Sequence, residues 1–248
     1  MKKYQVFRDK KLNELFEKKG YVKIPFLSEE EIKTLQEAFE EISIKGFELN
    51  NKKEIQFGTL SENIGLKVFQ NEKIKSCFEK AAQKHLNKYK HTIGTFIIKA
   101  IGADAFGPHL NETYVDENKY HSIVVWIPLS DINQNHGTLW VVEESHNKFN
   151  FLIHRHRISL YFDHLREYLL KNKFLKPIDV KQGEAIIFHD RLIHYSSSNK
   201  SNKPRIVAAA FMRPEPATMV RYEVDKRKKT IAEYRFSNDN ISTYVNPN

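Results

Sequence analysis

The sequence predicts a mainly β protein with N-terminal helices, built as a β-sandwich or jelly roll. Up to about residue 90, apolar side chains recur at helical spacing. From about residue 92 the pattern changes to short runs rich in β-branched and aromatic residues, each bounded by turn residues. Helices first and many short strands afterwards are typical of a β-sandwich or jelly roll that helices cover on one face.

The N-terminal part contains three helical patterns. "LFEKKG" reads as a helix end with Gly20 as its stop signal, and an extended piece, "YVKIPFLS", follows it. In "SEEEIKTLQEAFEEI", Ser28 precedes Glu31 by three residues, the spacing of a capping box. The apolar face of that helix consists of Ile32, Leu35, Phe39 and Ile42. A third helix is predicted in "NEKIKSCFEKAAQKHLNKYK", with Ile74, Phe78 and Ala82 on one face.

Five runs in the second half predict strands. They are "TIGTFIIKAIG", "HSIVVWIPLSD", "GTLWVVEES", "EAIIFHD" and "RIVAAAFMRP". Turn segments such as "DINQNHG" and "VKQG" separate them. The segment "LIHRHRISLYFDHLREYLLKNKF" lies between the third and fourth runs, and we expect it to be partly helical and strongly basic.

The 248 residues are predicted to form one domain. Glycine and proline number only 9 and 8, and no linker rich in Ser, Pro or Gly interrupts the pattern. A hydrophobic content of 40% is enough for a sizeable core. Within this domain we expect a helical part at residues 1–90, a strand-rich core at 91–213 and a C-terminal extension at 214–248.

The net charge of +9 comes from 40 Lys and Arg against 31 Asp and Glu. The lysines are scattered and no stripe of basic and aromatic residues is present, which favours a solvated surface over a nucleic-acid partner. No window approaches the roughly 20 apolar residues of a membrane helix, and the N-terminus lacks the apolar core of a signal peptide. Because Cys77 is the only cysteine, we expect no internal disulfide and a cytoplasmic location.

Two histidines and one arginine carry the candidate chemistry. His109 follows a Gly-Pro turn, and His194, 85 residues later, lies in the run "GEAIIFHDRLIHYSSSNKSNKPRI" that also contains Arg205. Non-haem Fe(II) oxygenases hold iron with two His and one carboxylate, which leaves open positions for a 2-oxo acid and for oxygen. The far carboxylate of the 2-oxo acid needs a cation that grips in a fork, and Arg205 is placed for that role.

Three segments resemble the phytanoyl-CoA dioxygenase family of Fe(II)/2-oxoglutarate oxygenases. They are "HLN", "VVWIPLSDINQNHGTLWVVEESH" and "GEAIIFHDRLIHYSSSNKSNKPRI", and the N-terminal "LFEKKGYVKIPFLSEEEIKTLQEAF" is also similar, so the resemblance covers most of residues 12–213. The family fold is a double-stranded β-helix, a cupin-like jelly roll, which would make residues 91–213 the jelly-roll core. The resemblance implies Fe(II) and 2-oxoglutarate as cofactors.

The resemblance assigns roles to individual residues. It implies iron ligands at His109 and His194, and it places the distal carboxylate of 2-oxoglutarate at Arg205 with help from Ser196. The family pattern is H-x-D, so position 111 should carry a carboxylate, but it carries Asn111. Glu144 likewise stands where the family's "GSH" segment has glycine.

Asn111 leaves several interpretations open. Its amide oxygen could be a weak iron ligand, or a nearby acid among Glu112, Asp116 and Glu117 could substitute. Alternatively, the fold is kept for binding without catalysis. Related halogenases also lack this carboxylate, but they have Gly or Ala there, whereas Asn fills the space. An engineered Asp-to-Asn change is a further option.

Other polar residues are candidates for lesser roles. By proximity to His109, the pocket is expected to include Lys99, Tyr114 and Asp116. Arg155 and Arg157, in the run "HRHR", are candidates to hold an anionic group of the substrate, with a solvated helix start as the alternative. His189, five residues before His194, is expected to face away from it, and His121 and His146 are more simply structural.

Together these features predict an Fe(II)/2-oxoglutarate-dependent dioxygenase that hydroxylates a C–H bond of a small-molecule substrate. An anionic substrate is one of the options. Its metal site would contain His109, Asn111 and His194. The alternative is a non-catalytic or iron-deficient binding protein on the same fold, because Asn111 replaces the expected carboxylate. Neither nucleic acid nor membrane is an expected partner, and the sequence leaves the oligomeric state open.

Overall fold

The computed structural model describes residues 4–46, 55–116, 118–148, 167–225 and 230–236. Its N-terminal part contains three helices and two short strands. In chain order these are α1 (Lys10–Lys19), β1 (Tyr21–Pro25), α2 (Glu29–Gly46), β2 (Ile55–Phe57) and α3 (Ile64–His85). No helix among the described residues is long and apolar enough to cross a membrane.

Local signals fix where the helices begin. The capping box is confirmed, because the backbone N–H of Ser28 donates to the Glu31 carboxylate at 2.8 Å and the N–H of Glu31 donates to Ser28 Oγ at 3.2 Å. α3 starts earlier than the segment in which the sequence predicted it. Asn63 Oδ1 accepts from the N–H of Leu66 at 3.2 Å and so caps a helix whose first turns are only weakly amphipathic.

The strand-rich half forms the two sheets of a jelly roll, as predicted. Its core strands are β3 (Tyr89–Lys99), β4 (Phe106–His109), β5 (Ile123–Pro128), β6 (Leu139–Val142), β7 (Leu175–Pro177), β8 (Glu184–His189), β9 (His194–Ser196) and β10 (Arg205–Pro214). The major sheet has the order β1-β8-β5-β10-β3-β2, and the minor sheet has the order β4-β9-β6-β7. All pairings are antiparallel.

The alternation of side chains along β5 shows how the layers are arranged. Its six residues are all buried. Ile123, Val125 and Ile127 join the apolar cluster that includes α2 and α3, whereas Val124 and Trp126 join the cluster between the two sheets. Because successive side chains of a strand point to opposite faces, the helices cover one face of the major sheet and the minor sheet covers the other. The space between the sheets is where the candidate site lies.

The C-terminal extension includes a hairpin of β11 (Met219–Asp225) and β12 (Thr230–Phe236). Of the segment predicted to be partly helical, residues 152–174, residues 167–171 are helical and residues 152–166 lie outside the described residues.

Candidate active site

Two neighbouring strands of the minor sheet bring His109 and His194 together. His109 ends β4 and His194 begins β9, and the two residues are direct partners in the antiparallel register. The centroids of their rings are 4.0 Å apart. Both side chains line a cavity of about 120 Å³ between the sheets. The pair that the sequence singled out therefore converges, and we call it the cavity pair.

Each imidazole of the cavity pair is fixed through one ring nitrogen. His109 Nδ1 lies 2.9 Å from the carbonyl oxygen of Gly107, and His194 Nδ1 lies 2.8 Å from that of Leu192. Since a carbonyl only accepts, each Nδ1 carries the hydrogen and each Nε2 keeps its lone pair. A metal-binding histidine commonly has this arrangement, in which the second nitrogen donates to a carbonyl or carboxylate.

The surroundings keep these rings neutral. Burial lowers the pKa of His109 to about 4, against a weaker raising effect of its bond to Gly107. The pKa of His194 is well below its usual range, first because of burial and second because of His109. A neutral imidazole is the form that binds a metal ion, so both rings are ligand-ready at neutral pH.

Asn111 lines the same cavity as the cavity pair. Its backbone N–H donates to the carbonyl oxygen of Asp190 at 2.9 Å, and its Nδ2 lies 3.5 Å from Asp190 Oδ1. Among the described residues, no group of three or more His, Cys, Asp or Glu side chains is placed to hold a metal ion. Among the described residues, the side chain of Asn111 thus brings an amide, and not a carboxylate, to the cavity of the two imidazoles.

Two of the three acids that were considered as substitutes, Glu112 and Asp116, do not line this cavity. Glu112 contacts the hydroxyl of Tyr114 at 3.5 Å. Asp116 closes a local turn: its Oδ1 accepts from the N–H of Asn118 at 3.1 Å, and its Oδ2 is 3.5 Å from the ammonium of Lys119. Asp116 was expected to face the pocket, but its carboxylate is engaged by its own turn and does not line this cavity. Glu117 lies outside the described residues.

Arg205 is the buried cation of the cavity. It begins β10, is 1% exposed and lines the cavity with the cavity pair. Its Nη1 donates to the carbonyl oxygen of Gly137 at 2.7 Å, its guanidinium lies 5.4 Å from the Trp126 ring, and its Nε has no hydrogen-bond partner. Burial lowers the pKa of Arg205 to about 9, so the side chain remains charged at neutral pH. An unpaired donor on a desolvated cation fits an incoming carboxylate.

Ser196 also lines the cavity, and Lys99 holds it from behind. The ammonium of Lys99, on the fully buried end of β3, donates to Ser196 Oγ at 2.8 Å and to the carbonyl oxygen of Ser197 at 2.6 Å. Lys99 was expected to line the pocket, but its ammonium is directed at the β9 end instead. Gly137 permits this approach: with φ +69, a Cβ there would lie 2.9 Å from Lys99 Cδ.

The other cavity walls are mainly apolar. Besides the residues already described, the lining consists of Ile55, Phe57, Thr59, Thr95, Ile97, Phe106, Val124, Trp126, Leu139, Phe188, Ala209 and Phe211. Tyr114 packs edge-on against Phe211 at 6.5 Å, one layer behind this wall. Arg155 and Arg157 lie outside the described residues.

Three further histidines form a second group, which we call the helix-side cluster: His121, His146 and His189. His189 Nε2 lies 2.7 Å from His121 Nδ1, and the N–H of Arg191 donates to His189 Nδ1 at 2.9 Å. His121 Nε2 is 3.7 Å from a Glu17 carboxylate oxygen. His146 Nε2 lies 3.1 Å from the Glu17 carbonyl oxygen. As expected, His189 points away from His194.

A family model described as "Phytanoyl-CoA dioxygenase (PhyH)" matches residues 16–207. This range contains α2, α3, all core strands up to the first three residues of β10, the cavity pair and Arg205. The chain belongs to this family. The H-x-D pattern of the phytanoyl-CoA dioxygenase family is therefore interrupted at Asn111 in a true member.

A curated family relative from rice, Oryza sativa subsp. japonica, is named phytanoyl-CoA dioxygenase 1. It is 30% identical over 95 residues, which cover 38% of this chain and 34% of that protein. The chain spans about a third of the length of the curated relatives it matches.

Solved structures share the jelly roll at low sequence identity. HygX from Streptomyces hygroscopicus, crystallised with nickel and 2-oxoglutarate, has a TM-score of 0.60 at 13% identity, covering 84% of this chain and 88% of that chain. The epimerase SnoN, crystallised with Fe3+, alpha ketoglutarate and nogalamycin RO, has a TM-score of 0.58 at 15% identity, covering 84% and 86%. At such identities the likeness establishes the fold.

Sequence reasoning missed two contributors to this site. Asp190 lies in the quoted run "FHDRLIH", where an acid within an apolar strand end was the available signal. β2, which supplies Ile55 and Phe57 to the cavity wall, gave no signal because three partly buried residues are too short for a period.

Proposed function

We propose that this member of the phytanoyl-CoA dioxygenase family is an Fe(II)/2-oxoglutarate-dependent oxygenase that hydroxylates a C–H bond of a small molecule. The observation that carries the proposal is the cavity pair: its two imidazoles, each bonded to a carbonyl through Nδ1, line one small cavity with Arg205, whose Nε has no hydrogen-bond partner. A metal ion and an acid that reaches a guanidinium are the two ligands this arrangement fits.

The donor set fits a divalent metal with one change from the family pattern. His109 and His194 would supply two neutral nitrogens, and Asn111 would supply a neutral oxygen in place of a carboxylate. With an amide in place of a carboxylate, the site has one negative charge fewer, so we expect it to bind the metal more weakly. Three protein ligands would still be available. The cofactors, when bound, supply the oxidation of a C–H bond by O2, with succinate and CO2 as co-products.

The chain's own residues do three things in this reaction. Arg205 and Ser196 would bind the distal carboxylate of 2-oxoglutarate and so fix which end faces the histidines. Lys99 holds the Ser196 hydroxyl in place. The apolar walls, including Trp126 and Phe188, exclude water from the reacting centre.

The substrate is proposed to be a small molecule. The SnoN crystal structure supports this class, since that protein was crystallised with nogalamycin RO beside alpha ketoglutarate. A cytoplasmic location stays a prediction from the sequence.

A charge-transfer measurement tests the proposal, with two buried arginines of β10 as a matched pair. Anaerobic protein with Fe(II) and 2-oxoglutarate is expected to give a weak visible band, and O2 is expected to release succinate. Arg205→Met should weaken 2-oxoglutarate binding roughly 100-fold, equivalent to about 3 kcal/mol, while metal binding persists. Arg213→Met, 2% exposed and bonded to the Ala217 carbonyl at the far end of the strand, should leave the band intact.

The second candidate is a binding protein without catalysis, which Asn111 favours. It predicts neither band nor succinate at any Fe(II) concentration. A band in Arg205→Met equal to that of the unchanged protein would contradict the role of Arg205.

A further inference from the structure

A chain of buried hydrogen bonds ends at Asn111. Asp190 is 0% exposed, and its Oδ2 accepts a hydrogen bond from the Ser122 hydroxyl. Ser122 Oγ lies 3.1 Å from Thr113 Oγ1. Because the one hydrogen of Ser122 goes to Asp190, Thr113 is the donor in that pair. One oxygen of the carboxylate thus accepts from Ser122, and the other, Oδ1, faces the amide of Asn111.

The carboxylate decides which way the amide points. A carboxylate only accepts hydrogen bonds, so it attracts the NH2 of Asn111 and repels its carbonyl oxygen. Asn111 Nδ2 lies 3.5 Å from Asp190 Oδ1. Because Oδ1 and Nδ2 are bonded to opposite sides of the same planar Cγ, the Oδ1 of Asn111 is directed away from Asp190. Asp190 does not line the cavity, and Asn111 does. The oxygen, rather than the nitrogen, is therefore offered to the cavity pair.

We propose that Asp190 is a positioning residue that orients and polarises the Asn111 amide, so that this oxygen serves as the third metal ligand. The proposal rests on the metal site of the proposed function. A carboxylate that accepts from the amide NH2 increases the electron density on the amide oxygen, as partners behind metal ligands generally do. Asp190 thereby offsets part of the negative charge that Asn111 lacks as a ligand.

Because each buried hydrogen bond between Ser122, Asp190 and Asn111 has a defined donor and acceptor, variants at positions 111 and 190 can test the proposal. In Asp190→Asn, the introduced amide accepts from Ser122 and turns its NH2 toward Asn111. Asn111 can accept a hydrogen bond from that NH2 only if its own oxygen rotates toward position 190. Its NH2 then faces the metal. In Asn111→Asp, two carboxylates face each other. In the double variant Asn111→Asp/Asp190→Asn, the introduced amide again accepts from Ser122 and now donates to a carboxylate, whose other oxygen faces the cavity.

Co(II) is the probe, followed by its visible absorption in titrations without 2-oxoglutarate. Asp190→Asn is expected to weaken Co(II) binding about 10- to 100-fold. The double variant should bind Co(II) at least as tightly as the unchanged protein and more tightly than either single variant. This rescue separates an orienting role from a structural one, because two structural defects would add. Circular dichroism checks the fold of each variant. If Asp190→Asn does not fold, Ser122→Ala replaces it as the test. This variant removes the hydrogen bond that Asp190 accepts from Ser122, and we expect a smaller loss of Co(II) affinity from it.

The outcomes distinguish this inference from the proposed function. If the unchanged protein and His109→Ala bind Co(II) equally poorly, the metal centre and the role of Asp190 both fall. If the unchanged protein binds Co(II) and His109→Ala does not, the metal centre stands. In that case, the positioning role alone is overturned if Asp190→Asn, or Ser122→Ala where that variant replaces it, binds Co(II) as tightly as the unchanged protein. It is also overturned if the double variant binds Co(II) no more tightly than the weaker of the two single variants.

Discussion

The cavity pair and the helix-side cluster are two groups of histidines in one β-sandwich that use their ring nitrogens differently. In the cavity pair, each Nδ1 is bonded to a backbone carbonyl two residues away, and each ring borders open space. In the helix-side cluster, His121 and His189 bond to each other, and His146 bonds to the backbone of α1. The residue type is the same, and only five positions of the sequence separate His189 from His194.

The difference teaches what makes a histidine ready to bind a ligand. A local carbonyl fixes one nitrogen and leaves the other available, so the ring is prepared without a further protein partner. In His189 both nitrogens are engaged within the protein, Nε2 by His121 and Nδ1 by the N–H of Arg191. We therefore expect metal affinity to depend on the cavity pair and fold stability to depend on the helix-side cluster.

The largest expected effect separates the two groups directly. His194→Ala removes one of two nitrogen ligands and should weaken Co(II) binding roughly 1000-fold or more, which is about 4 kcal/mol. The matched variant His189→Ala should lower the free energy of unfolding by about 2 kcal/mol and leave Co(II) affinity unchanged. Metal titration and urea unfolding of both variants measure this. Loss of Co(II) affinity in His189→Ala would break the comparison.

Acid should destabilise the metal-free protein through the cavity pair. His109 has an ordinary pKa of 6.5 when unfolded and about 4 when folded. The unfolded chain therefore binds the proton first, and stability present above pH 6.5 is lost as the pH falls toward 4, by up to about 3 kcal/mol. Urea unfolding between pH 7.5 and 4.5 measures the slope. His109→Gln should flatten it, and an unchanged slope in that variant would show that other groups cause the acid sensitivity.

A smaller effect should come from the turn that supports the helix-side cluster. Gly20 has φ +84, and a Cβ there would lie 2.5 Å from His146 Nδ1 and 2.7 Å from Leu192 Cδ1. Gly20→Ala should therefore cost about 2 kcal/mol of unfolding free energy, from backbone strain and from the displaced imidazole. Co(II) affinity should stay the same. Leu192 also bears the carbonyl that fixes His194, so weaker metal binding in this variant would show that the two groups are coupled.

The smallest expected effect concerns Glu144, which stands where the family has glycine. Its φ of 67 is the left-handed conformation that favours glycine, and the side chain is exposed. Glu144→Gly should raise the free energy of unfolding by less than about 1 kcal/mol, because relief of strain exceeds the entropy that glycine adds to the unfolded chain. Lys173→Gly, at an exposed residue with φ 57, is the matched control remote from His146. A loss of stability in Glu144→Gly alone would mean that the Glu side chain stabilises this turn.

The fold was largely predictable because its signals are local. The capping box at Ser28 and the apolar runs of β5, β8 and β10 depend on neighbouring residues, and all form the predicted elements. α3 was placed too late, since its first turns lack a clean apolar face and only the cap at Asn63 marks them. The β11–β12 hairpin was not predicted, because the sequence of that extension left its structure open.

The candidate site was predictable as far as residue types determine it. His109, His194 and Arg205 share a cavity, as the family pattern implied. The direction of a side chain depends instead on tertiary contacts. Lys99 turns to Ser196 because that hydroxyl and two carbonyls lie within reach, and Asp116 turns to its own loop. No local pattern could show that Asp190, 79 residues from Asn111, faces its amide.

The pairing of β4 with β9 has a consequence for how the proposed metal site would form during folding. His109 and His194 are opposite each other in one register only, and a slip of one residue would send one ring to the other face of the sheet. These strands are also far apart in sequence, so they meet after the local hairpins have closed. If the proposed site binds Co(II), the appearance of its visible absorption during refolding would therefore report when β4 and β9 pair in this register. A chain trapped in another register would not develop that absorption.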